Sequence, residues 1–170
     1  MKKVLATIAE WFAIVGVLCA LVGFIFPPAG MHRIDSWSEK EAKWLTDWDW
    51  LSLGTLMSSD GSPFVVVAIV LMVVALIATF YLAVVAKVSK KPVTGLVLLG
   101  AVAVGVLCAL YVRNVLIVNP ANHVYIGKAD AVKDSLGVYI MGVAYLLQVV
   151  GAVLAVVVSF MKSAPEEKAE

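Results

Sequence analysis

At 170 residues the chain is one domain by length, yet 62% of it is apolar, 15% is charged and its mean hydropathy is +0.99. An ordinary soluble domain carries roughly 25% charged residues, so a water-soluble core is excluded. A net charge of +1 leaves no concentrated basic face, and nucleic acid is excluded as a partner.

Four apolar segments are long enough to cross a bilayer, which takes about 20 helical residues. The first, over 4–26, has Glu10 as its only charge and stops at Pro27-Pro28. It is too long for a signal-peptide core, and no small-residue cleavage site precedes the prolines, so it is read as a span. Glu10 lies six residues in, about 9 Å by helical rise. At that depth a structural ion pair or a carboxylate reaching the interface is expected, with a proton or cation site as the alternative.

The first outer loop, 27–62, has its own organisation. Ser36-x-x-Glu39 and Ser38-x-x-Glu41 have capping-box spacing. Trp37, Trp44, Trp48 and Leu51 then follow at steps of seven, four and three. This pattern predicts an amphipathic helix over 37–51 lying at the membrane interface, with a tryptophan-bearing docking surface for a partner as the alternative.

The second span, 64–86, is uncharged. The third, 93–118, carries Arg113 near its end and is closed by Asn119-Pro120. Arg113 is some 20 Å deeper than Glu10 by helical rise, so it is expected at outer headgroups or beside an acidic residue of the first outer loop. The fourth, 137–161, has Gln148 near its middle. A mid-membrane amide is expected to hydrogen-bond to a neighbouring helix, a polar pathway being the alternative.

The chain spells one heptapeptide twice, Val15-Gly16-Val17-Leu18-Cys19-Ala20-Leu21 and Val104-Gly105-Val106-Leu107-Cys108-Ala109-Leu110. Similar exits follow the odd spans, Pro28-Ala29-Gly30-Met31-His32 and Pro120-Ala121-Asn122-His123. The even spans match at Leu82-Ala83-Val84-Val85 and Leu154-Ala155-Val156-Val157. The expected fold is therefore an all-α membrane protein of four transmembrane helices. They form two parallel-related hairpins by internal duplication, residues 1–92 and 93–170. Gly16-x-x-x-Ala20 and Ala101-x-x-x-Gly105-x-x-x-Ala109 put small residues at equal depth, which predicts that the first and third spans cross there.

Orientation follows the lysines. The side holding 1–3, 87–92 and 162–170 has seven lysines in 18 residues, against one arginine and four lysines in 54 residues on the other. Both termini are expected in the cytoplasm of a multi-pass protein.

His32 and His123 are the only histidines and are equivalent under the repeat. Facing each other they would offer a haem, metal or quinone site, whereas solvated interface histidines need no ligand. Cys19 and Cys108 lie within spans as small apolar residues. No metalloprotease, nucleophile-elbow, dithiol or phosphate-loop motif occurs.

Four spans with a large first outer loop resemble the topology of the claudins and their relatives. The claudin loop joins a tryptophan to a cysteine pair. This loop has tryptophans and no cysteine, so the resemblance stops at topology and carries no function. The expected role is a non-catalytic accessory or structural subunit of a larger membrane complex. It would be surrounded by lipid and packed on other integral subunits or on itself, with no cofactor. A haem- or quinone-linked bundle on His32 and His123, and a small transporter or ion conduit on Glu10 and Gln148, are the alternatives.

Overall fold

A computed structural model describes residues 1–25, 31–50, 63–88, 91–118, 132–133 and 136–161. In the strands outside 38–43, and beyond Val112 in the third helix, it describes the backbone alone.

Among the described residues four helices are long and apolar enough to cross a membrane, which marks the chain as a multi-pass membrane protein. These are α1 (Lys2–Ile25), α2 (Pro63–Tyr81), α3 (Pro92–Val118) and α4 (Leu136–Phe160), with α2 continuing into a π turn at Leu82–Ala86. Each boundary falls within two residues of the span expected from the sequence. Their outward faces are apolar: Ile77, Leu107, Leu146 and Phe160 are all more than half exposed. Exposed apolar surface on that scale belongs in lipid.

The helices pack as an up-and-down ring. α1 runs along α4, α3 lies between α4 and α2, and a thin seam between α2 and α1 closes the circuit. Lys2 Nζ donates to Met161 O at 2.7 Å, which ties the start of α1 to the end of α4. The expected crossing of the first and third spans is thereby overturned. In an up-and-down bundle those two helices run parallel and lie across the diagonal, and every seam joins antiparallel neighbours.

All four helices bury a row with alternating steps of three and four. On α1 it is Ala6, Ala9, Ala13, Gly16, Ala20 and Gly23; on α4 it is Gly137, Met141, Ala144, Gln148, Gly151, Ala155 and Val158. That period is the one of left-handed bundles. Hydrocarbon surrounds the spans whether or not they associate, so helix contacts are driven by van der Waals packing, and small residues let backbones approach. The core divides into two apolar halves. One, towards the loop end, includes Val17, Ala20, Ile69, Met72, Leu76, Val112, Met141 and Ala144; the other, towards the termini, includes Ala6, Ala9, Ala13, Ala83, Leu98, Val102, Ala152 and Ala155.

The membrane part is all-helical, but the loop end is not. Strands β1 (Met31–Ser38) and β2 (Lys43–Trp50) form an antiparallel hairpin, and β3 (Val132–Lys133) from the second loop pairs with β1, giving the order β2-β1-β3. The amphipathic helix expected over 37–51 is thus a β-hairpin. The spacing from Trp44 to Trp48 puts both on one face of a helix and equally on one face of a strand. Trp50, two residues on, fits only the strand, and so does the alternation of Trp44, Thr46, Trp48 and Trp50 with Lys43, Leu45, Asp47 and Asp49. The two apparent capping boxes span a four-residue hairpin turn, closed by the pairing of Ser38 with Lys43.

Ala42 ends that turn with φ 47°. Left-handed backbone costs a residue with a Cβ about 1–2 kcal/mol, and glycine avoids that cost while losing more chain entropy on folding. Ala42→Gly is therefore expected to stabilise the hairpin by about 0.5–1 kcal/mol. Slower amide exchange across β1 and β2, with unchanged exchange in the helices, is the predicted signature; faster exchange would contradict it.

Candidate functional site

Two regions gather the residues that the sequence singles out: the middle of the bundle and the loop-end sheet.

The bundle middle is built around glycines set against backbone. A Cβ at Gly16 would stand 2.8 Å from Ala144 O and 2.6 Å from Gln148 Cγ. One at Gly151 would stand 2.8 Å from Ala9 O, and one at Gly95 2.6 Å from Ala155 O. Each glycine thus lets its helix settle on an alanine carbonyl of the neighbour, an approach that any side chain would prevent. A Cβ at Gly105 would stand 3.2 Å from the Tyr145 ring edge and 3.4 Å from Ala75 Cβ. Of the proposed packing residues, Gly16 and Ala20 are fully within the α1–α4 seam, Gly105 sits between α2 and α4, and Ala101 and Ala109 are half-buried on α3.

Gln148 is 1% exposed, in the buried row of α4, between Ala144 of one apolar half and Ala152 of the other. Thr79 of α2 is fully buried in the corresponding place, between Leu76 and Ala83. Gln148 Nε2, Thr79 Oγ1 and the Tyr145 hydroxyl are buried without a hydrogen-bond partner. Gln148 Nε2 therefore donates no hydrogen bond to the neighbouring helix expected from its depth. Thr79 and Tyr145 were not singled out from sequence. The signal was present, since Thr79 is the one hydroxyl inside an otherwise apolar 64–80, and it occupies a core step of the heptad row.

Glu10 is half-buried, next to the well-exposed Trp11. Ala9 against Gly151 places it about one turn from the level of Gln148, towards the termini. Arg113 lies in the helical backbone of α3, its side chain outside the described residues. Cys19 and Cys108 are free thiols packed against the loop-end half of the core.

In the sheet, His32 is the cross-strand partner of Asp49 on one side and Val132 on the other. His123 and Leu51 lie outside the described residues, so a bis-histidine juxtaposition is not described. Among the described residues no group of three or more His, Cys, Asp or Glu could hold a metal ion. The register pairs Trp37 with Trp44, Arg33 with Trp48 and Met31 with Trp50. Cross-strand partners share a face, so four of the chain's five tryptophans are placed on one face of the hairpin. His32, Asp47, Asp49, Ser36, Ser38 and Lys43 are placed on the other.

Comparison with protein-family models and with characterised proteins finds no match to this chain.

Proposed function

We propose that the protein is a non-catalytic accessory or structural subunit of a larger membrane complex, with both termini cytoplasmic and the β-hairpin outside as its docking element. The supporting observation is the register that collects Trp37, Trp44, Trp48 and Trp50 on one hairpin face. Tryptophan and arginine dominate the energetics of protein interfaces, and Arg33 is placed on that same face. Among the described residues β2 is also the edge of the sheet, an edge that natural proteins cover or pair.

Duplication of a hairpin belongs to the same proposal. Aligning Leu82-Ala83-Val84-Val85 with Leu154-Ala155-Val156-Val157 makes 72–76 the equivalent of 144–148. Gly16 stands against Ala144 and Gln148, and its repeat mate Gly105 stands against Ala75, inside the equivalent stretch. The two likenesses, in sequence and in packing, support each other.

The test is gentle detergent extraction from the native membrane followed by sizing. The protein is expected to run in an assembly larger than its own monomer, and Trp44→Ser with Trp48→Ser to release it while helix content is unchanged. Loss of two interface tryptophans corresponds to roughly 30-fold weaker association or more. Isolation of the wild type as a lone monomer sinks the proposal. An assembly indifferent to both serines would assign the tryptophan face to lipid headgroups instead.

A second reading, a small conduit through Glu10 and Gln148, is favoured by the buried polar groups in mid-bundle and by Glu10 lying one turn from them. Ion flux in liposomes that Glu10→Gln abolishes would replace the first reading.

A further inference from the structure

The seams place two buried polar side chains at one depth. Gly105 faces both Ala75 on α2 and Tyr145 on α4. One turn closer to the termini, α2 carries Thr79 and α4 carries Gln148, so these two share a level. Both belong to the buried heptad rows, and both sit at the boundary between the two apolar halves of the core. On α1 the same level offers Ala13 and Gly16, and the Gln148 side chain packs directly on Gly16, its Cγ 2.6 Å from where a Cβ would stand. α2 and α4 are diagonal in the ring and share no packing seam.

Thr79 Oγ1, Gln148 Nε2 and the Tyr145 hydroxyl have no partner in the protein. In hydrocarbon an unpaired polar group is costly, and lipid has nothing to offer it. The occupant must accept a hydrogen bond from an amide and exchange hydrogen bonds with hydroxyls. A cation does not fit, because it cannot accept the hydrogen bond that Gln148 Nε2 has to give, and an anion would find no countercharge among these three groups. The occupant must also be small, because Thr79, Tyr145 and Gln148 are all buried in the packed core. A buried water typically takes two to four polar partners; Thr79 and Gln148 share a level, and Tyr145 stands three residues before Gln148 on the same buried face of α4. Within a turn of Thr79, α2 also widens into the π turn Leu82–Ala86, a rare geometry that occurs mostly beside functional sites.

We propose that the bundle binds ordered water at mid-membrane, held by Thr79, Gln148 and Tyr145. Water there accepts from Gln148 Nε2 and hydrogen-bonds to Thr79 Oγ1 and the Tyr145 hydroxyl, tying α2 to α4 across the diagonal. This holds whether the protein is a subunit or a conduit.

The experiment is NMR of the full chain in micelles, reading magnetisation transfer from water to the Gln148 side-chain amide. The wild type is expected to show a cross-peak to long-lived water, Thr79→Val to lose it, and Thr79→Ser, which keeps the hydroxyl, to retain it. Thermal unfolding supplies the second measurement. Thr79→Val and Gln148→Leu should each lower the melting temperature, and combining both with Tyr145→Phe should recover much of the loss, because no orphaned group remains. A Gln148 amide with no water cross-peak, or one bonded directly to Thr79, overturns the proposal. Strictly additive losses overturn it as well, and helix content by circular dichroism identifies any variant that fails to fold.

Discussion

Gly151→Val is expected to drive α1 and α4 apart and to destabilise the bundle by about 3 kcal/mol or more, the upper end for an overpacked core. A Cβ at this position would lie 2.8 Å from Ala9 O, 2.9 Å from Ala13 N and 3.2 Å from Phe12 Cβ. Two of those atoms are backbone and cannot rotate away, so the helices themselves must move. Even Gly151→Ala should cost about 1–3 kcal/mol, although alanine is the better helix former by about 0.8–1.0 kcal/mol. Gly100 is the internal control. Nothing described lies within 4 Å of its Cβ position, so Gly100→Ala should be neutral or stabilising by up to about 1 kcal/mol. Reversible unfolding in mixed micelles measures both, and effects of the same sign would show that the α1–α4 seam is not where the structure has it.

Leu98→Ala should cost about 2 kcal/mol, whereas Leu107→Ala, on the same helix, should cost less than about 0.5 kcal/mol. Leu98 is completely buried, the largest side chain to be so among the described residues, while Leu107 is 65% exposed. In a soluble protein the buried truncation ranges over about 2–5 kcal/mol, the sum of a transfer term and a cavity term. Within a bilayer the separated helices keep leucine in hydrocarbon, so the transfer term falls away and the cavity term remains. The low end of the range follows. Equal losses at Leu98 and Leu107 would mean that α3 is rotated about its axis relative to the face described.

The four spans were legible because a long apolar run has few options in lipid. Its backbone groups must be paired within the segment, so a helix is the one local solution. The loop end was misread for an equally local reason. Trp44 and Trp48 satisfy helix and strand periods alike, and the deciding residue, Trp50, fell outside the stripe that Trp37, Trp44, Trp48 and Leu51 define. Pairing with β3, which lies about a hundred residues further on in the chain, is a long-range contact that no local pattern carries. Gln148 was found and its partner level was not, since Thr79 is an ordinary residue until α2 and α4 are placed in one ring.

From the chain by itself came the number of spans, their ends to within two residues, and the depth of Glu10, Gly16, Gly105 and Gln148, because helical rise converts position into depth. The choice of neighbours came only with the tertiary structure: Gly16 rests on α4 rather than on α3, and Gly105 on α2 and α4 rather than on α1. Lipid wets every apolar face equally, so hydrophobicity ranks no pairing above another. What separates them is whether a bare glycine meets a carbonyl at van der Waals distance, which is a property of two helices together.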